Sequence, residues 1–561
     1  MNNQIRRIFI VVLIMFALLG AGMTNTQFVA ASALNADERN QRTILHSAEI
    51  DRGPIIVNGS AVASSTKQDG SQRFERSYSQ GPLYASVTGY FSSVISQSTG
   101  LESAAEEVLD GQSQSLFAQR LRNLFTGAGR QGGGVVLTLD DKMQQVAAER
   151  LGDRRGAVVA LNAKTGAVLA LYSSPSYDPN SLAVFDSQSV NDAYGALLAD
   201  PNRPLVNRAI GGDRYAPGST FKILTAVALL ENGIATPDTR MDSPVSTTLP
   251  GSSTQVENIE SSQCGDGKPT LTEAFARSCN TTFVLASKSL TNQQLSDVAK
   301  RFGFGTEQAI PLPVTPSVFP SDTDAAQLAM SSIGQYTVQA TPLQMAEVAQ
   351  AVANKGTMMA PYLIDQVVDA DLQTRSTTEP AQLGKPVTPE IANQVTAMMR
   401  AVVSQPYGSG SSMAIPNVAV AAKTGTAETG NGARANAWAV GFAPWAPPAS
   451  IRMSCLMRWS SGARISTPRS CTRRPTTGRL LCCVTSTTLP SGRPRLSVPT
   501  RRTSTRSPCM TLAISRGGRK ISALPSSGSM KPKPSRCPDT RPGMRSMRLT
   551  SIRAPLRPAR I

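Results

Sequence analysis

Histidine is almost absent from this chain, and its scarcity excludes two common kinds of catalytic site. The single histidine, His46, lies near the N-terminus. A Ser-His-Asp triad would have to recruit it across the whole chain, and a metal site with two or three histidines cannot be built. Any base catalysis at neutral pH therefore has to come from a lysine or a carboxylate.

Cysteine is also scarce in the first 450 residues, which contain only Cys264 and Cys279. Two cysteines give no zinc-ligand spacing and do not establish a disulfide framework. Cys279 is expected to be a small buried apolar residue rather than a thiol nucleophile. We therefore expect neither a metal ion nor another cofactor.

The net charge of +18 comes from the C-terminal part of the chain alone. Residues 451–561 contain 24 Lys and Arg but a single acid, Asp539, whereas the first 450 residues have a net charge of −5. A nucleic-acid-binding domain would carry its basic residues on a folded surface. Because the body of the chain is mildly acidic, no nucleic-acid partner is expected.

One long apolar run is present, from Ile8 to Met23, and two arginines precede it. This order predicts a single-pass signal anchor with its basic end in the cytoplasm and the rest of the chain outside the cell membrane. A cleaved signal peptide is the alternative, because residues 31–33 (ASA) resemble a cleavage site and the run is short for a span. The anchor is favoured, and residues 1–34 are assigned to it and its cytoplasmic tip.

The stretch at residues 215–222 (YAPGSTFK) organises the rest of the chain. A Pro-Gly turn stops just before a helix predicted over Phe221 to Glu231. Ser219 stands at the start of that helix, and Lys222 follows one turn later on the same face. A hydroxyl beside an ammonium group, in the positive field of a helix N-terminus, can make a serine nucleophilic without histidine.

Two further motifs give this weak Ser-x-x-Lys pattern its meaning. Ser64 and Lys67 match the pattern as well, but no helix is predicted behind them. Downstream of Ser219 follow residues 278–280 (SCN) and then residues 423–426 (KTGT). An earlier Lys-Thr-Gly at 164–166 precedes the serine and sits in a tight turn, so it is interpreted as structural. The order Ser-x-x-Lys, Ser-x-Asn, Lys-Thr-Gly is the signature of penicillin-binding proteins and serine β-lactamases.

With these motifs the chain resembles a monofunctional, class B penicillin-binding protein, most closely the actinobacterial penicillin-binding protein A type. The resemblance covers roughly residues 1–445 and is specific because the three motifs occur together. It implies an α+β transpeptidase domain of the serine β-lactamase kind, with an antiparallel sheet and helices, over residues 135–449. A small extracytoplasmic pedestal, resembling the family's dimerisation domain, over residues 35–134 would lift that domain off the membrane.

The resemblance also implies a reaction, in which a serine ester forms on the D-Ala-D-Ala end of a peptidoglycan stem peptide. Ser219 would attack the carbonyl carbon while Lys222 takes the serine proton, and an amine from a neighbouring stem peptide would complete the cross-link. The implied catalytic residues are Ser219, Lys222, Ser278, Asn280 and Lys423, and the implied substrate-binding residues are Thr424, Gly425 and Thr426. The implied partners are stem peptides, β-lactam antibiotics, the membrane and a cell-wall synthesis or division complex.

Two other functions remain open. A serine β-lactamase needs a group that activates the deacylating water, and in class A enzymes a glutamate a few dozen residues after Ser-x-Asn supplies it. Residues 300–320 contain only Glu307, far from a matching local motif, and such an enzyme would leave the anchor and pedestal without a role. A catalytically silent β-lactam sensor or wall-binding module would acylate without cross-linking.

The secondary-structure pattern favours an α+β domain whose sheet joins distant parts of the chain. The pedestal is expected to contain short strands and turns. Strands of the second domain are predicted at 135–139, 156–161, 167–172, 418–422 and 437–442. Helices are predicted at 141–151, 221–231, 272–278, 294–301, 342–354 and 389–403.

Beyond about Trp445 the sequence changes character. Residues 451–561 contain 21 Arg against three Lys, together with six cysteines, and no sustained strand or helix period. This composition indicates a GC-rich gene translated in the wrong frame rather than a natural basic tail. The related fold continues with a central strand and a helix, and nothing after Trp445 is expected to supply them. We therefore predict an aberrant tail over residues 450–561 that is disordered.

Overall fold

The described part of the chain contains two large β-sheets, four two-stranded sheets and the helices packed against them, which confirms the α+β class. The structure is a computed structural model that describes residues 2–26, 30, 48–116, 125, 130–428, 435–445 and 479–488. Its strands are β1 (Ile55–Val57), β2 (Ser60–Lys67), β3 (Phe74–Tyr78), β4 (Phe91–Ser92), β5 (Gln97–Ser98), β6 (Gly134–Leu137), β7 (Gly156–Asn162), β8 (Val168–Ser174), β9 (Ser246–Thr248), β10 (Gln255–Glu257), β11 (Gln308–Ala309), β12 (Pro313–Val314), β13 (Met358–Met359), β14 (Ile364–Val368), β15 (Thr374–Thr377), β16 (Gln382–Gly384), β17 (Ala421–Ala427), β18 (Asn436–Trp445) and β19 (Arg479–Thr488).

Most helices lie between β8 and β17 in the chain, as the sequence analysis predicted for the middle region. The α-helices are α1 (Asn2–Thr24), α2 (Gly81–Thr88), α3 (Gly100–Ala104), α4 (Glu106–Leu109), α5 (Asp141–Leu151), α6 (Asn180–Ala183), α7 (Ser187–Ala199), α8 (Lys222–Glu231), α9 (Leu271–Arg277), α10 (Asn280–Ala286), α11 (Asn292–Arg301), α12 (Ala325–Ser332), α13 (Pro342–Ala353) and α14 (Pro389–Ser404). The helices that were not predicted from the sequence are α2, α3, α4, α6, α7, α10 and α12. The first three lie in residues 35–134 and correct the expectation that this region contains only short strands and turns.

The five-stranded sheet carries the Lys-Thr-Gly motif on β17 and has the order β17-β18-β19-β7-β8, with every neighbouring pair antiparallel. Strand β7 is buried along its whole length because helices cover both of its faces. Val158 packs with Leu151 of α5 on one face, and Val159 belongs to the main core on the other. Such two-sided burial requires a nearly continuous apolar strand, which the β7 sequence provides.

Strand β19 occupies the centre of this sheet and corrects one prediction. Its backbone pairs with β18 along its full length and with β7 from Leu481 to Thr487. The expectation that nothing after Trp445 supplies a central strand is therefore wrong for residues 479–488. Without β19, strands β7 and β18 would each present a row of unpaired N–H and C=O groups to this slot, and an extended segment with apolar and threonine residues can satisfy both rows. The rest of the predicted disorder after residue 450 lies outside the described residues.

The six-stranded sheet has the order β15-β14-β6-β1-β2-β3 and joins the pedestal to later parts of the chain. Strands β1 and β6 are parallel, and the other neighbours are antiparallel. Beside this sheet Glu102 is fully buried between two arginines. Its Oε2 lies 3.1 Å from Arg52 Nη2, and its Oε1 lies 2.7 Å from Arg76 Nε. Burial acts to raise the pKa of Glu102, but the charges of Arg76 and Arg52 outweigh it and hold that pKa below its usual value.

Helices α8 and α13 form the interior beneath the three motifs. Every residue of α13 is buried, and the helix contacts β7, β18 and β19. A helix that is covered all round needs few polar residues, and α13 carries them as a stripe of Gln344, Glu347 and Gln350. Helix α8 packs against α11 and α14, so the lysine at its first position is held inside the core.

The N-terminal helix is long and apolar enough to cross a membrane, judged by its length and composition. The qualifying stretch is Gln4–Thr24, with a mean hydropathy of 2.2 and no part of it buried against the rest of the chain. A signal sequence close to the N-terminus has the same properties. The choice between a retained anchor and a cleaved signal therefore stays a prediction.

Candidate active site

The Ser-x-x-Lys residues lie in a 3-10 turn, Gly218–Phe221, that runs directly into α8. Gly218 has a φ of +53°, and a Cβ atom there would lie 2.5 Å from the carbonyl oxygen of Thr426. The turn and strand β17 therefore meet backbone to backbone, which only glycine permits. Ser219 is buried except for 8% of its surface, and this remainder faces the cleft.

Lys222 is fully buried and points at the Ser-x-Asn motif. Its Nζ donates to the carbonyl oxygens of Ser278 (2.9 Å) and Cys279 (3.1 Å) and to Oδ1 of Asn280 (2.8 Å). Burial, and after it the charge of Lys423, lower the pKa of Lys222 well below its usual value. Three acceptors match the three N–H bonds of an ammonium group. The neutral amine has only two N–H bonds, so it gives up one of the three acceptors when its lone pair faces Ser219.

The Ser-x-Asn motif forms the tight corner between α9 and α10. Ser278 has a φ of +65°, in the left-handed region that residues other than glycine seldom adopt. Its Oγ accepts a hydrogen bond from Lys423 Nζ at 2.8 Å. Cys279 is buried, as predicted, but it also forms a disulfide with Cys264 across a Cα–Cα distance of 6.0 Å, which the sequence analysis did not anticipate.

The Lys-Thr-Gly motif lies in β17 at the edge of the five-stranded sheet. Lys423 is fully buried, and burial lowers its pKa to about 7. Besides Ser278, its Nζ donates to the carbonyl oxygen of Thr424 at 2.9 Å. The hydroxyls of Thr424 and Ser409 are 2.7 Å apart, so Ser409 holds the orientation of the threonine side chain.

A cleft of about 800 Å³ joins the three motifs. The cleft is lined by Ser219, Ser278, Asn280, Thr424, Gly425 and Thr426, while the two lysines lie beneath them. The structure thus brings together every site residue that the sequence analysis named. Ser64 lies instead in strand β2 of the six-stranded sheet, and residues 164–166 lie in the turn between β7 and β8.

Sequence reasoning missed two residues that support the site, Ser409 and Asn258. Both line the cleft, and Asn258 is hydrogen-bonded to the start of α10. Neither belongs to a motif, and each reaches its partner only through tertiary folding, so no local signal could have identified them. In the part of the chain that the structure describes, no group of three or more His, Cys, Asp or Glu side chains is placed to hold a metal ion.

Comparison with known proteins identifies the family. The family model of the penicillin-binding protein transpeptidase domain matches residues 156–467, and the model of the penicillin-binding protein A dimerisation domain matches residues 52–135. The chain belongs to the penicillin-binding protein transpeptidase family. The resemblance inferred from the order of the three motifs is confirmed.

Relatives and solved structures agree with this assignment. The chain is 44% identical to the peptidoglycan D,D-transpeptidase PbpA of Mycolicibacterium smegmatis over 461 residues, which are 80% of this chain and 92% of that protein. It is 41% identical to the protein of the same name from Mycobacterium tuberculosis, with the same coverage. The ceftriaxone acyl-enzyme complex of penicillin-binding protein A from M. tuberculosis superposes with a TM-score of 0.69 at 36% identity, covering 79% of this chain and 93% of that one.

Proposed function

We propose that this serine D,D-transpeptidase cross-links peptidoglycan stem peptides through an acyl-enzyme on Ser219. The observation that carries the proposal is the convergence of the three motifs on one cleft, with two buried lysines hydrogen-bonded to the Ser-x-Asn motif beneath it. A serine beside a lysine of lowered pKa can act as a nucleophile without histidine.

Acylation begins with the attack of Ser219 Oγ on the carbonyl carbon of the penultimate D-Ala. Lys222, in its neutral form, takes the serine proton as the new C–O bond forms. The negative charge that develops on the substrate oxygen is held by the backbone N–H groups of Ser219 and Thr426. Such an oxyanion hole contributes roughly 10²–10³ in rate for each donor.

Release of the terminal D-Ala requires a proton on its nitrogen and a hold on its carboxylate. Ser278 relays to the leaving nitrogen the proton that Lys222 took from Ser219, so Lys222 is neutral again, and the Ser278 hydroxyl is oriented by Lys423. The positive charge of Lys423 and the side chains of Thr424 and Thr426 bind the carboxylate. The C–N bond then breaks and leaves an ester on Ser219.

An amine from a neighbouring stem peptide completes the reaction. It attacks the ester carbonyl, loses a proton to Lys222 and displaces Ser219, which regains its hydrogen. β-Lactams imitate the D-Ala-D-Ala end and stop at the ester. The solved relatives from M. tuberculosis include acyl-enzyme complexes with ceftriaxone, imipenem and penicillin G.

The location that fits this reaction is the outer face of the cell membrane. Helix α1 serves as a single-pass anchor, residues 35–134 as the pedestal and residues 135–449 as the transpeptidase domain. The long apolar stretch of α1 and the substrate of the reaction support this arrangement. Membership of a cell-wall synthesis or division complex follows from the same setting and is tested by cross-linking in whole cells.

We also infer that residues 450–561 are translated outside the native reading frame. The similarity to the M. smegmatis relative covers 92% of that protein but leaves about a fifth of this chain without a counterpart. The excess of arginine over lysine and the six cysteines of the tail support the same inference. Resequencing the gene across codons 440–455 is the direct test. A shift of one nucleotide near codon 445 should open a frame that encodes a strand, a helix and a stop codon within about 50 residues, and the absence of such a frame would contradict the inference.

Covalent labelling with a fluorescent penicillin tests the proposed function. The full chain is expected to form a stable adduct, and Ser219→Ala is expected to abolish it. Ser64→Ala is the matched control, because Ser64 has the same spacing to a lysine but lies in strand β2. Persistent labelling of Ser219→Ala would contradict the assignment of Ser219 as the nucleophile. Continuous hydrolysis of penicillin to released penicilloate, instead of a stable adduct, would identify a β-lactamase.

A further inference from the structure

Asn258 contacts the proposed catalytic groups without belonging to any of the three motifs. It follows strand β10, and only 7% of its surface is exposed. Its Nδ2 donates to the carbonyl oxygen of Pro244 (2.9 Å), and its Oδ1 accepts from the backbone N–H groups of Asn280 (2.8 Å) and Thr281 (3.1 Å). Asn258 thereby caps α10 from a neighbouring segment, since Cys279, the residue before that helix, makes no side-chain cap.

The peptide group between Cys279 and Asn280 connects Asn258 to Lys222. Its N–H is held by Asn258 Oδ1, and its C=O accepts from Lys222 Nζ at 3.1 Å. A peptide group is planar, so the direction of the N–H fixes the direction of the C=O. A hydrogen bond at one end of the group also polarises the other end and strengthens it as an acceptor. Asn258 therefore sets both the direction and the strength of the Cys279 carbonyl as an acceptor for Lys222.

The residue before Asn258 fixes a second acceptor. The carbonyl oxygen of Glu257 accepts from Asn280 Nδ2 at 2.9 Å, which turns Asn280 Oδ1 toward Lys222 Nζ at 2.8 Å. The end of strand β10 thus controls two of the three acceptors that Lys222 contacts. The third acceptor, the carbonyl oxygen of Ser278, belongs to the motif itself.

We propose that Asn258 is a positioning residue for acylation, which acts on Lys222 through the peptide group between Cys279 and Asn280. The inference rests on the proposed function, because it assigns the base to Lys222. A neutral lysine amine keeps only two N–H bonds for three acceptors, so the strength of each acceptor decides how readily Lys222 becomes a base. An asparagine with a merely structural role would stabilise the corner before α10 and leave proton transfer unchanged.

The surroundings of Lys222 allow this effect to be isolated. Lys423 on β17 is the charged group that faces Lys222, and the ring of Phe283 on α10 lies 5.3 Å from its Nζ. A new carboxylate at position 258 would therefore act on a site whose other neighbours are known. Asn258→Asp keeps the two accepted N–H bonds, loses the donation to Pro244 and adds negative charge on the far side of the connecting peptide group.

The test measures acylation of the full chain by a fluorescent penicillin across pH, together with the melting temperature. The variants are Asn258→Ala, Asn258→Asp and a matched control, Asn180→Ala. Asn180 bridges in the same way, with Oδ1 accepting from Tyr78 N at 2.8 Å and Nδ2 donating to Tyr78 O at 2.9 Å, but it does not line the cleft. The control reports what the loss of one bridging amide does to stability alone.

Asn258→Ala is expected to lower the acylation rate constant by roughly tenfold to a hundredfold, because it leaves the backbone N–H groups of Asn280 and Thr281 without their acceptor and frees the peptide group. Asn180→Ala is expected to retain the full rate at a similar loss of melting temperature. Asn258→Asp is expected to move the rising limb of the pH profile about one unit higher, since its charge favours the ammonium form of Lys222.

The proposal would be overturned if Asn258→Asp had the same pH midpoint as the wild type. It would also be overturned if Asn258→Ala acylated as fast as the control variant Asn180→Ala. If Asn258→Ala does not fold, Asn258→Asp decides alone, because it keeps the cap of α10. Ser219→Ala is measured beside them. Continued labelling of Ser219→Ala would contradict the proposed function itself. If Ser219→Ala is not labelled but the Asn258 variants acylate like the wild type, only the role of Asn258 is contradicted.

Discussion

Substituting arginine for each buried lysine separates the base from the electrostatic group. Lys222 Nζ donates to three oxygens of the Ser-x-Asn motif, and Lys423 Nζ donates to Ser278 Oγ and to a carbonyl oxygen of its own strand. Arginine keeps the positive charge but does not give up its proton in a protein. Lys222→Arg should therefore lose the base, and Lys423→Arg should keep the field that binds a carboxylate.

Lys222→Arg and Lys423→Arg are expected to lower the acylation rate constant by very different factors. A positioned general base contributes roughly 10²–10⁴ in rate, so Lys222→Arg is expected to lower the acylation rate constant by that factor. Both lysines are fully buried, and the larger guanidinium will cost either variant about 1–3 kcal/mol of stability through overpacking. Lys423→Arg shares this cost but not the chemical one, so it is expected to retain a measurable fraction of the rate.

Stopped-flow acylation by a fluorescent penicillin measures the rate constants, and thermal unfolding measures the shared packing cost. If the two variants lose the same factor at equal melting temperature, the roles are reversed or wrong. The pH dependence gives an independent check. The wild-type rate should rise as Lys222 loses its proton and fall above about pH 7 as Lys423 loses its charge, because the pKa of Lys423 is about 7. Lys423→Arg should remove the falling limb, since arginine stays charged.

Three further predictions follow from contacts around the site and in the pedestal. Gly218→Ala should nearly abolish acylation, because its Cβ would lie 2.5 Å from a carbonyl oxygen of β17, whereas Gly195→Ala meets nothing within 4 Å and should label normally. Ser409→Ala should raise the penicillin concentration for half-maximal acylation roughly threefold to tenfold, since Thr424 loses its hydroxyl partner. Glu102→Gln should lower the free energy of unfolding at pH 7 by about 3–5 kcal/mol in urea titrations. That difference should shrink as the pH falls through the depressed folded-state pKa of Glu102, because protonation then removes the same charge.

The elements that could be predicted from the sequence are those with long local signals. Helix α5 has the predicted bounds, and α13 and α14 differ from prediction by a single residue at one end, because each has a strong period and begins at a capping residue. Strands β7 and β8 were also found, since a hairpin turn separates two apolar runs. The motif residues could be named because their types and order are specific, although their convergence on one cleft needed the fold.

The parts that could not be predicted depend on contacts between distant residues. Asn258 and Asn280 are 22 positions apart, and Ser409 and Thr424 are 15 apart, so neither pair leaves a periodic trace. Cys264 and Cys279 could not be paired because two cysteines establish neither proximity nor geometry. Helix α10 was missed because it is only seven residues long and receives its cap from Asn258 rather than from its own preceding residue.

Strand β19 shows most clearly how a segment outside the motifs bears on catalysis. Lys423 in β17 is the direct register partner of Val440 in β18, which pairs with Val484 in β19, which in turn pairs with Val159 in β7. Within the sheet, β17, which carries Lys423, is therefore joined to the β7-β8 hairpin only through β18 and β19. A register slip of one residue in β19 would turn every side chain of that strand to the opposite face. An in-frame C-terminus that places a strand rich in Val and Ile between β18 and β7 should therefore raise the yield of penicillin-labelled protein without a change at any motif residue. Equal yields from the two sequences would contradict this prediction and show that residues 479–488 as written serve equally well as the central strand.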